Sequence, residues 1–266
     1  MINVSIVLYN HSVVELLPLL ESLRLSGQVN DVFLIDNSPL ENTEFRNLHV
    51  RYIFTGNNRG YGAGHNIALR QSLEQNVPYH LVVNPDISFD PGILARIVEY
   101  MDKNTEIGHL MPKVFYPDGN IQYLCKLLPT PFDLLFRRFL PGNWTKKRMF
   151  TFEMRGSGYD KIMDVPYLSG CFMFLRIRVL NDVGLFDERF FMYPEDIDLT
   201  RRIHKKYRTV FYPDVSIVHH HEQSSYKNRK MMWVHIVNLI WYFNKWGWLF
   251  DPERRAVNKE ILGQFD

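Results

Sequence analysis

The sequence predicts an α/β fold: a mixed, mainly parallel sheet flanked by helices, with a helical extension at the C-terminal end. Three observations carry this. Short apolar runs alternate with helically spaced patterns through the first half of the chain. Each of those runs is followed at once by a polar segment. The stretch Met231–Phe250 is rich in Trp, Tyr and Phe and reads as one helix. Strands that alternate with helices form parallel sheets whose two faces are both covered.

Taken in order, Val4–Leu8 is the first strand and Val13–Leu25 the first helix. Val32–Ile35 and Val50–Phe54 are the next strands, and Ala63–Leu73 is a helix. His80–Val83 is a fourth strand, with a helix over Pro91–Met101. Residues 129–158 break the pattern. They hold Pro129, Pro131, Pro141, Gly142, Gly156 and Gly158, and from Arg137 to Arg155 six basic residues against one acidic, Glu153. This segment reads as a long, mobile excursion. Regular pattern resumes with a strand at Gly170–Leu175, a helix from about Glu195 and a strand at Thr209–Tyr212. The body of the fold is then residues 1–225, and 226–266 are the helical extension.

Composition narrows the function classes. The chain has 266 residues, 46% hydrophobic and 23% charged, which is ample material for a core. A net charge of +2 is too balanced for a nucleic-acid protein. Cys125 and Cys171, both in apolar surroundings, point to free thiols in a reducing, cytoplasmic setting. No apolar run is long enough to cross a bilayer, and Met1–Leu8 reads as a strand rather than a leader. The tail does carry Trp233, Trp241, Tyr242, Trp246 and Trp248 near Lys227, Arg229, Lys230 and Lys245. Such a segment rests at a membrane interface or packs as a helix on the domain; both readings stay open.

In open α/β sheets, ligands bind beyond the carboxyl ends of the strands. Here those places are Tyr9-Asn10, Asp36-Asn37, Gly56–Asn66 and Asn84–Asp86. Asp86, just past a buried strand, is placed to hold a hard cation against a diphosphate, or simply to cap the turn before the next helix. Four glycines between Gly56 and Gly64 lead into a helix start. They admit close approach of a ligand, or mark an ordinary loop. Their spacing fits neither a dinucleotide fingerprint nor a Walker loop. In Val183–Leu199 an aromatic loop delivers Glu195, Asp196 and Asp198 to the first turn of a helix. A carboxylate there suits a general base, and equally suits the helix dipole. His219, His220 and His221 close a strand, as metal ligands or as surface decoration.

Together these pieces resemble glycosyltransferase family 2, inverting enzymes of the GT-A (Rossmann-like) fold, and within it rhamnosyltransferase-like enzymes of bacterial surface-polysaccharide synthesis. The matching text is VSIVLYN at 4–10, LIDNSP at 34–39, GNNRGYGAGHN at 56–66, VVNPDI at 82–87, the block 169–203 and YPDVSIVHH at 212–220. The resemblance implies a nucleotide-sugar donor, dTDP- or UDP-linked, a divalent metal (Mn²⁺ or Mg²⁺) and a saccharide or lipid-linked acceptor. It implies that Tyr9, Asn10, Asp36, Asn37, Arg59, Gly60, Gly62, Asn66 and Asn84 border the donor. Asp86 matches the last acid of the family's Asp-x-Asp metal motif, with Asn84 in place of the first. Asp196 of the Glu195-Asp196 pair matches the catalytic base, and His219 a further metal ligand, uncertain by one position among the three histidines. Residues 129–158 would lie on the acceptor side. The rivals are a sugar-nucleotide pyrophosphorylase and a binding protein that has lost catalysis. The first needs a lysine-bearing glycine-rich loop after strand one, where this chain has Tyr9-Asn10-His11-Ser12.

Overall fold

The computed structural model describes residues 1–135, 142–220 and 229–265, with side chains at 142–144 and 229–231 left out. Arg137, Arg138 and Pro141 of the excursion, His221 and Lys227 therefore lie outside the described residues.

The first half follows the predicted alternation: β1 (Ile2–Leu8), α1 (Val13–Leu25), β2 (Val29–Asp36), β3 (Arg51–Phe54), α2 (Tyr61–Glu74) and β4 (Tyr79–Val83). Then come β5 (Ile87–Phe89), α3 (Gly92–Lys103), β6 (Ile107–Phe115), β7 (Cys125–Lys126), α4 (Pro131–Leu134) and α5 (Gly142–Phe152). The remainder is β8 (Met163–Asp164), β9 (Tyr167–Leu168), β10 (Phe172–Arg176), α6 (Val179–Val183), α7 (Glu195–His204), β11 (Arg208–His219), α8 (Arg229–Trp246) and α9 (Pro252–Leu262). The strand order is β3-β2-β1-β4-β10-β6-β11-β5, with β8 added on β11. β3, β2, β1 and β4 are parallel to one another, as are β6 and β11, while β10 runs antiparallel between β4 and β6.

That topology decides what meets at one end. The chain winds outward from β1 to β3 and then returns to the other side of β1 as β4. Such a reversal leaves a crevice at the carboxyl ends of β1 and β4. Because β10 is antiparallel, its beginning pairs with the end of β4, Phe172 with Val83. Gly170 and Cys171 therefore reach the same edge. β5 is antiparallel to β11, with Ile87 opposite His219, so Asp86 and His219 also arrive there.

Alternation along β10 shows why the sheet is covered on both faces. Phe172 and Phe174 enter the cluster under α1 and α3, while Met173 and Leu175 enter the cluster with Leu69, Leu199 and Ile203 of α2 and α7. A third apolar cluster joins Phe152, Met154, Tyr159 and Phe211 to Leu239, Tyr242 and Phe243 of α8 and Ile261 of α9. The described part of 129–158 thus carries short helices broken by its Pro and Gly residues, with Phe152 and Met154 buried, Phe132 half-buried and Phe150 exposed. β6 escapes sequence reading because Gly108, His109 and Pro112 interrupt its apolar run.

The C-terminal helices are pinned to the body by a buried ion pair. Arg201 of α7, fully buried, donates two 2.8 Å hydrogen bonds to Asp251. Its guanidinium also lies 4.1 Å from the Trp246 ring centroid.

Candidate active site

Each candidate begins with its backbone. Asn10 takes a left-handed φ of 59°, tolerable for Asn, and its N–H donates to Ser38 Oγ (2.8 Å). Tyr9 is left exposed beside it. Asp36, the last residue of β2, is fully buried and accepts from Ser38 N (2.9 Å) and Tyr52 OH (2.7 Å). Asn37 donates to Gly60 O (3.1 Å) and accepts from Thr55 Oγ1 (2.9 Å). Tyr9, Asn10, Asp36, Asn37 and Gly60 thus form one contiguous floor, with exposed Arg59 at its rim.

The glycines of 60–64 serve packing of protein on protein. Gly60, with φ +89°, starts α2, and a Cβ there would lie 2.1 Å from Phe191 O. At Gly62 and Gly64 a Cβ would press on Phe186 (2.9 Å) and Val7 (2.7 Å). Gly60→Ala therefore adds a clash to about 1–3 kcal/mol of backbone strain. Its Tm should fall by at least roughly 5 °C in a calorimetric scan; an unchanged Tm would refute the close approach of the 191 loop. Asn66 does not look onto the floor. It is buried, and its amide donates to Phe186 O (2.9 Å) and Glu188 (2.8 Å) while accepting from Phe186 N (3.1 Å). Its place is that of a clamp on the loop before α7.

At the carboxylate end, Asp196 Oδ2 accepts from Gly170 N (2.9 Å) and Oδ1 from Ile197 N (2.8 Å). Burial raises the Asp196 carboxyl to about 6, opposed by those two backbone bonds. Glu195 is buried too, and its Oε2 has no hydrogen-bond partner among the described residues. Burial first, and the Asp196 charge second, push Glu195 well above the usual carboxylate range, which favours its protonated form. Asp198 is spent on structure, paired with Arg202 (2.8 Å) and Lys245 (2.7 Å) and accepting from Trp246 Nε1 (2.8 Å).

A line of polar contacts runs from Asp196 to Asp86. Gly170, which donates to Asp196, accepts from Tyr61 OH (2.7 Å). Tyr61 OH also lies 3.2 Å from Asn84 Oδ1, and Asn84 Nδ2 lies 3.5 Å from His219 Nε2. His219 Nε2 is 3.4 Å from Asp86 Oδ1. Gln122 fixes the ring: its Nε2 donates to His219 O (2.8 Å), which turns its Oε1 to Nδ1 (2.9 Å). Nδ1 then carries the proton, and Nε2 brings its lone pair toward Asp86. His220 instead faces outward to Ser88 Oγ (3.2 Å), so of the two described histidines His219 is the one beside Asp86.

A carboxylate oxygen and an imidazole nitrogen whose far side is held by a carbonyl suit Mn²⁺ or Mg²⁺. Among the described residues no three His, Cys, Asp or Glu side chains gather at metal-ligand spacing. A cation at Asp86 and His219 would need ligand oxygens to complete its shell. The described cavity of about 810 Å³ lies elsewhere, lined by Arg201, His204, Lys205, Arg208, Asp164 and Glu253 at the far end of α7 from Asp196.

The family model "Glycosyl transferase family 2" matches residues 4–184. The chain belongs to glycosyl transferase family 2. This family 2 glycosyltransferase is 28% identical over 207 residues to the N-acetylglucosaminyl-diphospho-decaprenol L-rhamnosyltransferase of Mycobacterium tuberculosis, covering 73% of this chain and 67% of that protein. It is 27% identical over 212 residues to the low-salt glycan biosynthesis hexosyltransferase Agl10 of Haloferax volcanii, covering 77% of this chain and 62% of that one. Among solved structures, GalNAc-T7 with UDP, GalNAc and Mn²⁺ superposes with a TM-score of 0.59 at 14% identity, over 82% of this chain and 42% of that chain. The likeness in shape is that of the GT-A fold.

Sequence reading missed three residues of the candidate site. Tyr61 stood inside the glycine-rich motif, where the glycines drew the reading. Gly170 acts through its backbone, which carries no residue signature. Gln122 lies in an irregular stretch, and only the fold brings it to His219.

Proposed function

We propose that this chain is an inverting glycosyltransferase that moves a rhamnosyl or other hexosyl unit from a nucleoside-diphosphate sugar to a saccharide carried on a lipid diphosphate. The single observation that supports it best is the polar line joining Asp196 to Asp86 through Gly170, Tyr61, Asn84 and His219. It brings Asp196 and Asp86, the base and the metal ligand of this reading, to one edge of the sheet beside the Asp36–Gly60 floor. The names of the mycobacterial and haloarchaeal relatives supply the sugar and acceptor classes.

In this reading the nucleotide lies on the floor of Tyr9, Asn10, Asp36 and Asn37. Asp86 and His219 would hold a divalent cation, whose charge offsets that gained by the departing diphosphate. Asp196 takes the proton of the attacking hydroxyl as the new C1–O bond forms opposite the breaking C1–O–phosphate bond. One displacement inverts the anomeric carbon. Glu195, buried beside it, is pushed by burial and by the Asp196 charge toward its neutral form, which would limit the negative charge next to the base.

A panel of dTDP- and UDP-sugars with a short-chain lipid-linked acceptor tests this, read by nucleoside-diphosphate release and by NMR of the product anomer. Activity should rise with pH and level off above about 6, because Asp196 must be ionised and its carboxyl is lifted to about 6. A product with the donor's own anomeric configuration would sink the single displacement. Full activity at pH 4 would remove Asp196 as base.

A further inference from the structure

We propose that the outward face of α8 and the turn after it seat on an anionic bilayer surface and hold the catalytic loop against it. α8 has two faces with different tasks. Its inner face, Leu239, Tyr242 and Phe243, is buried in the third cluster. The same side grips the loop that leads into Glu195-Asp196. Asn238 Nδ2 donates to Met192 O (2.8 Å), and the His235 ring lies 4.3 Å from that of Tyr193. Tyr193 takes a φ of +85°, unusual for an aromatic residue, so its conformation depends on what packs around it.

The outer face carries Trp233, Val237, Ile240 and Trp241, spaced i, i+4, i+7 and i+8 on one side of the helix. Trp233 is 64% and Trp241 46% exposed, and Leu249 and Phe250 in the following turn are 71% and 83% exposed. Single exposed apolar residues are ordinary; six along one helix and its turn make a patch that a monomer surface rarely leaves bare. The chemistry of the patch selects its occupant. α8 opens with Arg229 and Lys230 and contains no acidic residue, while its Lys245 turns inward to pair Asp187 (2.9 Å) and Asp198 (2.7 Å). Indoles with a wet N–H edge, bulky apolar tips and flanking cations match the boundary between headgroups and acyl chains of an anionic membrane. No helix of the described chain is long and apolar enough to cross a membrane, so α8 would lie in the plane of the interface. The consequence for catalysis rests on the lipid-linked acceptor proposed above: α8 would place the loop beside Asp196 where such an acceptor surfaces. The docking itself stands apart from that reading.

Flotation of the full chain on density gradients, with phosphatidylcholine vesicles with and without phosphatidylglycerol, tests it. The wild type should float with the anionic vesicles and only weakly with the neutral ones, and its Trp emission should shift to the blue. A Trp233→Glu/Trp241→Glu double variant should bind at least tenfold less at an unchanged Tm. Leu40→Glu, at a still more exposed apolar position after β2, should float as wild type does. A wild type that stays in the soluble fraction, or a double variant that floats equally well, would overturn the proposal. So would a dimer in light scattering that the double variant dissolves, since the face would then belong to a second copy. Nucleotide-sugar turnover is read separately. Flotation without turnover leaves the docking intact and sinks the transferase reading, and turnover without flotation does the reverse.

Discussion

Asp196→Asn should bind nucleoside diphosphate as the wild type does yet transfer sugar ~10²–10⁴-fold more slowly, about 3–5 kcal/mol of lost transition-state stabilisation. The amide keeps the shape of the carboxylate, and its one oxygen can accept from Gly170 N while the Ile197 N–H, a weak bond to its own neighbour, loses its acceptor. What it loses is the ability to take a proton. The same substitution should not lower Tm at pH 8. The folded Asp196 carboxyl binds its proton more tightly than an unfolded one, since burial raises it to about 6. Its favourable contribution is therefore full below about pH 4 and lost as pH rises through about 6. At pH 8 the native state carries a buried carboxylate that folding opposes, and a neutral amide relieves that cost. Low activity combined with equal or higher Tm would separate a base from a structural residue. A variant with normal turnover would end the assignment, and one that unfolds would return Asp196 to the role of a helix-start acid.

Much of this was legible in the residues, and the reasons are local. β1, β2, β4 and β10 are short apolar runs bounded by polar turns, and their pattern alone places Asp36, Asn84 and Asp86 just past strand ends. The Glu195-Asp196 pair follows from an aromatic loop running into a helix whose Leu199 and Ile203 face inward. Other parts depend on the tertiary structure. Neither Asn66 nor Asp198 differs, as a polar residue in a motif, from one that meets a ligand; only the fold shows Asn66 clamping the loop and Asp198 bracing α8. The glycines of 60–64 signal close approach, and close approach occurs, but of Phe191, Phe186 and Val7. Between the described histidines 219 and 220, the sequence cannot say which one turns to Asp86, because Gln122 holds His219 from a distant irregular segment. The described 129–158 residues look loop-like because proline and glycine spacing breaks their pattern, yet Phe152 and Met154 are buried in the cluster beneath α8.

Asp86→Ala should abolish the Mn²⁺-dependent part of nucleoside-diphosphate binding and lower transfer by roughly 10³-fold, on the order of 4 kcal/mol, since metal charge at a departing diphosphate is worth several kcal/mol. The effect should be large because the site holds few protein ligands. Asn84 occupies the place where a second carboxylate would stand, so Asp86 brings the negative charge and His219 a neutral nitrogen. Removing Asp86 leaves one uncharged donor, too little to hold a hard cation. Gln122→Leu offers a graded version. It frees the His219 ring to rotate and removes the acceptor at Nδ1, a loss that typically costs about 10–100-fold in metal affinity. Electron paramagnetic resonance of Mn²⁺, titrated with UDP or dTDP present, reads binding without reference to turnover. The expected order of affinity is wild type, then Gln122→Leu, then Asp86→Ala. An Asp86→Ala protein that binds Mn²⁺ and diphosphate as the wild type does would remove the metal from this edge of the sheet. The charge on the leaving group would then have to be met by exposed Arg59 or by another cation at the rim, and the polar line from Asp196 would end at Asn84.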